Sequence, residues 1–351
     1  MMNTLTAPQA DTSVWALFAP LLPWLERDDI TEIAVNRPGE VWFEAHSRWQ
    51  QAVLPALTFD HLESMAIAVA AFSHNNIDRT TPILSAVLPD GARVQFVCPP
   101  ACETGTLSLT IRKPGKTART LDDYQRDGYF THLYPLTSAL SPADTQLLEL
   151  KAHGELQRFF EQAVLLEKNI VIAGGTGSGK TTFMKALMTC IPSHQRIITI
   201  EDVPELLLPN HPNRVHLFYP SEAQPNDPIT SAKLLKSCLR MKPDRIMLAE
   251  LRGAETFDFI NVNASGHGGS ITSCHAGSCA MAFERLAMMA LENPRGQALP
   301  YEVLMRLLHQ TIDIVVHVTN DVHSTACLGR HITEIWFEPQ RQGNQLTSST
   351  P

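Results

Sequence analysis

Residues 174–181 read Gly174-Gly175-Thr176-Gly177-Ser178-Gly179-Lys180-Thr181. The stretch fits the phosphate-loop pattern G-x-x-x-x-G-K-[ST]. The apolar run Asn169-Ile170-Val171-Ile172-Ala173 leads into it, and residues 181–189 read as helix. Strand, loop and helix in that order give the pattern its mechanical sense. Glycines let the backbone turn until successive N–H groups face one anion, and the helix behind adds the positive end of its dipole. Lys180 can then reach the β- and γ-phosphates, and the Thr181 hydroxyl, with Thr182 beside it, faces Mg²⁺. A nucleoside triphosphate with Mg²⁺ is the expected ligand.

Outward from this loop, the second half alternates apolar runs with helices. The runs cover residues 170–173, 196–200, 215–218, 246–249, 270–274 and 312–318. Helical spacing covers 180–189, 229–241, 254–264, 279–291 and 301–310. That alternation predicts an α/β fold with a mainly parallel sheet. Such sheets bind ligands at the carboxyl ends of their strands, so catalytic groups should sit just after the runs. Glu201 and Asp202 follow one run, Glu250 and Arg252 a second, and His275 a third. An ATPase needs one carboxylate to position water and another to complete the magnesium shell. Glu201 and Glu250 form the natural pair, Glu250 reaching the metal directly or through water; which of them orients the attacking water stays open. Any one carboxylate at a loop start is more often a helix cap or a solvated charge. Three strand ends around one phosphate site do not. His275 reads either as a γ-phosphate sensor or as an ordinary strand-end histidine. His267, in Ser265-Gly266-His267-Gly268-Gly269, sits where glycines permit close approach to a ligand.

The first half predicts a smaller α+β unit. Residues 14–26 have helical spacing with Trp15, Phe18, Leu22 and Leu25 on one face, and 61–72 form a second helix. Strands are expected at 31–36, 41–44, 83–88, 93–97 and 107–112. Arg37-Pro38-Gly39 and Pro89-Asp90-Gly91 supply turns between neighbours. Pro114-Gly115 stops the pattern. The expected division is an N-terminal domain at 1–113, a linker at 114–156 and a nucleotide-binding domain at 157–351. The linker carries Tyr124, Tyr129, Phe130 and Tyr134, and residues 143–152 within it read as helix. At roughly 3.3 Å per extended residue it could cross a whole domain, onto its own second domain or a neighbour's. Lys233, Lys236, Arg240, Lys242 and Arg245 read as a solvated basic face. Residues 340–351 form a polar tail.

With 44% hydrophobic and 18% charged residues, the 351-residue chain has a globular composition and room for two cores. No apolar run approaches the length of a membrane span, and residues 1–11 lack the pattern of a signal peptide. A net charge of −8 argues against general nucleic-acid binding, and the 7 cysteines show no zinc spacing. They read as reduced, mostly buried thiols of a cytoplasmic protein.

The ordered set 174–181, Ile-Glu-Asp at 200–202, Met-Lys-Pro-Asp-Arg at 241–245, Ala-Glu-Leu-Arg at 249–252 and Gly-His-Gly-Gly-Ser-Ile-Thr-Ser-Cys-His-Ala at 266–276 resembles the secretion-ATPase superfamily. In that family these are Walker A, Asp box, Walker B and His box. Pro204-Glu205-Leu206, residues 211–217 and residues 36–41 are most similar to the VirB11 ATPases of bacterial type IV secretion. The resemblance implies a RecA-like C-terminal domain and a homohexameric ring on the cytoplasmic face of the inner membrane. It also implies membrane-embedded partners, including other ATPases and a coupling protein, and ATP bound between the two domains. First-domain arginines act on the phosphates in this family, and Arg93 and Arg112 fall where those would be. Ala249 replaces the usual glycine before the Walker B glutamate, and Gly253 replaces a frequent aspartate after Arg252. The C-x-x-C pair of type II secretion ATPases is missing, which argues against that alternative. A type IV pilus ATPase and a nucleotide-gated ring scaffold with little turnover remain the other readings.

Overall fold

The computed structural model describes residues 9–115, 119–132, 140–224, 226–322 and 329–339. Tyr134, part of the expected linker, most of residues 1–11 and the tail at 340–351 lie outside that range. The chain opens with helices α1 (Gln9–Phe18) and α2 (Leu22–Leu25), separated by one 3₁₀ turn. The single helix expected at 14–26 is broken because Pro20 and Pro23 carry no amide N–H, and each opens the next short piece. Strands β1 (Ile30–Val35), β2 (Gly39–Ala45) and β3 (Arg48–Leu54) follow, then α3 (Phe59–Phe72), β4 (Ile83–Val87), β5 (Arg93–Val97) and β6 (Ser108–Arg112). These strands form one antiparallel sheet in the order β3-β2-β1-β6-β5-β4. β3 was not expected from sequence. It is an edge strand, Arg48-Trp49-Gln50-Gln51-Ala52-Val53-Leu54, with no fully buried residue, and Arg48, Gln50 and Gln51 interrupt its apolar pattern.

The connection carries α4 (Leu121–Arg126) and α5 (Pro142–Ala152), each started by a hydroxyl cap, Thr120 and Ser141. Next come α6 (Leu156–Leu165), β7 (Ile170–Gly174), α7 (Lys180–Met188), β8 (Ile197–Glu201), β9 (Arg214–Phe218), α8 (Ser231–Cys238), β10 (Arg245–Leu251), α9 (Glu255–Ala264), β11 (Ile271–Cys274), α10 (Cys279–Leu291), α11 (Tyr301–Thr311), β12 (Ile314–Asp321) and β13 (Gly329–Trp336). The second sheet runs β13-β12-β7-β11-β10-β8-β9 and is parallel except for β13. α6 and β13 went unread in the sequence.

Alternate residues of the central strands serve opposite faces. Val171, Ala173, Ile198 and Ile200 pack under α8 to α11. Ile170, Ile172, Ile197 and Met247 pack under α5 to α7. Both faces are covered, which is why these strands read as continuous apolar runs.

The first sheet meets the second at its amino edge, where β8, β9 and β10 begin. Arg196, wholly buried, stands at the centre of this seam. Its Nη1 donates to Asn36 Oδ1 at 2.7 Å and Asn213 Oδ1 at 2.5 Å, and its Nε donates to the Met241 carbonyl at 2.9 Å. Burial pulls the Arg196 guanidinium down to about 10, against the attraction of Asp244. Lys242 Nζ bonds Glu44 across the same seam at 3.0 Å. The basic cluster therefore divides: Lys242 is tied to the first sheet, and Arg245 is buried rather than solvated.

Candidate functional site at the carboxyl edge of the second sheet

Register decides which residues meet. Gly174 at the end of β7 lies beside Val318 of β12, and Ala173 lies beside Cys274 of β11. Leu251 of β10 pairs with Cys274. The loop after β7, the end of β10 and the residue after β11 thus open into one cleft of about 670 Å³. Its walls include Gly175, Thr176, Gly177, Gly179, Lys180, Thr181, Thr182, Asp202, Glu250, Arg252, His275 and Arg330.

The loop needs its glycines for stated reasons. Gly177 and Gly179 hold φ of 75° and 95°, a region that side chains disfavour. A Cβ on Gly174 would lie 2.4 Å from the Val318 carbonyl oxygen and 2.6 Å from Ser178 Oγ. Lys180 folds back and donates to the carbonyls of Gly174 and Gly175 at 3.0 and 3.1 Å. Burial lowers its pKa, and Glu250 opposes that shift.

Glu250 is the centre of the charge network. Its Oε1 lies 3.0 Å from His275 Nε2 and 4.0 Å from Lys180 Nζ. Its Oε2 accepts from Arg252 Nε at 2.6 Å, and Arg252 Nη1 reaches Asp202 Oδ2 at 2.5 Å. Burial works against the Arg252 charge, but the two carboxylates hold its pKa above the ordinary arginine value.

Four sequence-derived candidates lie elsewhere. Glu201 is fully buried and turned away from the cleft. Its Oε2 accepts the N–H groups of Glu205 and Leu206 at 2.8 and 2.7 Å, and its Oε1 accepts the Thr199 hydroxyl at 2.7 Å. Its observed task is to fold the loop after β8, and Asp202 faces the cleft in its place. His267 precedes β11, so it sits at the amino edge of a parallel sheet, opposite the phosphate loop. Its glycines serve packing there: a Cβ on Gly269 would lie 2.9 Å from Arg245 Nη1. Arg93 and Arg112 face each other across β5 and β6 and line a separate cavity of about 280 Å³ with Arg240. Arg112 also pairs with Glu32, whose carboxyl is raised by burial against the pull of that arginine.

Arg330 was missed. It belongs to β13, whose signal was the β-branched and aromatic run Ile332-Thr333-Glu334-Ile335-Trp336 after Gly329. Its Nε donates to the Gly177 carbonyl at 3.2 Å.

A parallel sheet carrying a phosphate loop, a strand-end glutamate and a strand-end histidine around one cleft defines a P-loop nucleoside triphosphatase. Comparison with known proteins narrows the class. Residues 137–340 match the family model "Type II/IV secretion system protein". The chain is 59% identical over 322 residues to the type IV secretion system protein VirB11 of Brucella abortus, covering 91% of this chain and 88% of that one. It is 46% identical over 333 residues to the type IV secretion system protein PtlH of Bordetella pertussis, covering 94% and 97%. The crystal structure of the Brucella suis VirB11 ATPase in complex with sulphate superposes with a TM-score of 0.89 at 56% identity, covering 94% of this chain and 99% of that one. The chain belongs to the type II/IV secretion system protein family, within its VirB11 ATPases.

Proposed function

We propose that this protein is an ATP-driven motor of a type IV secretion system, acting as a homohexameric ring peripheral to the inner membrane on its cytoplasmic side. The observation that carries the reading is the convergence of Lys180, Thr181, Glu250 and His275 on one cleft behind a glycine loop of the right backbone shape. Among the described residues no helix is long and apolar enough to cross a membrane, so attachment would run through membrane-embedded components such as other ATPases and a coupling protein.

ATP is the substrate that fits. The loop amides cradle its β-phosphate, and Lys180 leaves the Gly174 and Gly175 carbonyls for the phosphate oxygens. Thr181 and Glu250 supply oxygens suited to Mg²⁺, which when bound neutralises phosphate charge. Glu250 then holds the attacking water and accepts its proton, while His275 at 3.0 Å fixes the orientation of that carboxylate. Arg252 holds Asp202 and Glu250 together and so sets the position of both.

Arg93 and Arg112 line a cavity apart from the cleft of their own chain. We assign them to a neighbouring subunit's phosphates, with residues 1–113 as the movable arm, 114–156 as the linker and 157–351 as the ATPase unit. A guanidinium delivered across a subunit boundary couples ring closure to transition-state charge. Mixing inactive Lys180→Ala and Arg112→Ala subunits tests this directly. Trans delivery regenerates competent sites, because intact Lys180 meets intact Arg112 on the neighbour. Delivery within one subunit leaves the mixture inactive at every ratio, and that result would refute the assignment.

A further inference from the structure

Arg330 stands near the start of β13 and lines the cleft. β13 runs antiparallel to β12, and Asn320 pairs with Arg330 two residues beyond the Val318–Gly174 pair. The strand start therefore overhangs the carboxyl edge, directly above the phosphate loop. The side chain lies along the loop: a Cβ on Gly179 would meet Arg330 Cδ at 3.1 Å and Nε at 3.6 Å. Nε bonds the Gly177 carbonyl, and no ion pair between Arg330 and a carboxylate is found among the described residues. The guanidinium lines the cleft. A side chain at 179 would press on this stem, and the φ of 95° there already favours glycine.

We propose that Arg330 is a binding residue for the diphosphate part of the nucleotide, contributed in cis from the last strand of the sheet. This rests on the cleft being the ATP site. A guanidinium fixed through Nε presents its two terminal nitrogens as a planar fork suited to phosphate oxygens. Its neighbours Gly177 and Gly179 belong to the turn that cradles the β-phosphate, the group ATP and ADP share. Lys180 and Glu250, by contrast, sit where the γ-phosphate is handled. Arg330 therefore supports both nucleotides alike, and the glycine carbonyl keeps the fork pre-positioned when no nucleotide is bound.

The test uses the full-length protein and MgADP in titration calorimetry, with ATP turnover measured in parallel. Arg330→Met keeps the stem over Gly179 and removes the charge. It should weaken ADP binding roughly tenfold to a hundredfold, the worth of a charge-assisted hydrogen bond or two. KM for ATP should rise by a similar factor while kcat falls less than about threefold, the signature of binding shared by ground and transition states. Arg330→Lys should recover part of the affinity, and neither variant should shift the nucleotide-free melting temperature. Unchanged ADP affinity in Arg330→Met would overturn the proposal. So would a loss confined to kcat. Wild-type protein that binds no ADP would instead overturn the nucleotide reading beneath it.

Discussion

Glu201→Gln and Glu250→Gln are the same chemical change at two carboxylates adjacent to the same sheet edge, and the structure assigns them opposite consequences. Glu201 accepts three hydrogen bonds in a site closed to solvent. A glutamine can satisfy the Glu205 and Leu206 N–H groups with its one oxygen. Its NH₂ group must then face Thr199 and His216, whose Nδ1 lies 3.4 Å from the present carboxylate. The hydroxyl can turn to accept, but the charge-assisted character of all three bonds is lost. Hydrogen bonds to charged groups contribute about 1.5–3 kcal/mol against about 1 for neutral ones, so a net cost of about 2 kcal/mol is expected. For a unit of this size that lowers Tm by roughly 4–8 °C. Turnover by the surviving folded protein should stay within about threefold of wild type, since no oxygen of Glu201 faces the cleft. Glu250→Gln should leave Tm nearly unchanged, retain ATP and lose roughly 10²–10⁴ in kcat, the range for removing a general base. Differential scanning calorimetry and phosphate release at saturating MgATP read both quantities. If Glu201→Gln melts like wild type yet loses turnover as deeply as Glu250→Gln, the division of labour argued from the hydrogen bonds is wrong.

Lys180→Ala should abolish phosphate release and leave the melting temperature close to wild type, because the lysine's partners are the Gly174 and Gly175 carbonyls and, at 3.5 Å, His275 Nδ1; normal release would sink the site. Arg196→Met should cost about 3 kcal/mol by stranding the Asn36, Asn213 and Met241 acceptors. Calorimetry should also show the single transition separating into two as the seam loosens, and an unaltered endotherm would count against Arg196 as the link. Burial holds the His267 and His211 imidazoles below their ordinary value of 6.5. The unfolded chain therefore binds more protons than the folded one, so stability falls as pH drops below about 6.5. Urea titrations from about pH 7.5 down to pH 5 should show a shallower decline for His267→Gln than for wild type, and parallel declines would refute the assignment.

The central strands were readable because both faces of each are buried, leaving unbroken apolar runs such as Ile170-Val171-Ile172-Ala173. Strands β3 and β13 were not, because polar residues interrupt both, Arg48, Gln50 and Gln51 in one and Arg330, His331, Thr333 and Glu334 in the other. Helix α6 was passed over because Leu156–Leu165 begins at Glu155 with no side-chain cap to announce it. The site divides along the same line. Spacing in residues 174–181 dictates a loop whose function is local: consecutive amides, one lysine, one hydroxyl. Whether a carboxylate at a strand end faces that loop is a rotamer and partner question. Glu201 turns inward because Glu205 and Leu206 offer N–H groups, whereas Glu250 is drawn outward by Arg252 and His275. His267 shows the sharper lesson. A residue just before a parallel strand and one just after it are neighbours in sequence, yet they sit at opposite edges of the sheet.

By itself the amino-acid sequence determined the phosphate loop, the α/β alternation and the family, since each depends on residues close together along the chain. Tertiary structure alone decided that Glu250 rather than Glu201 faces the loop and that Arg93 and Arg112 stand apart from their own cleft. It alone laid Arg330, about 150 residues away, across Gly177 and Gly179. Those placements follow from strand order, register and the partners offered to each buried polar group, and none of these is written in local spacing.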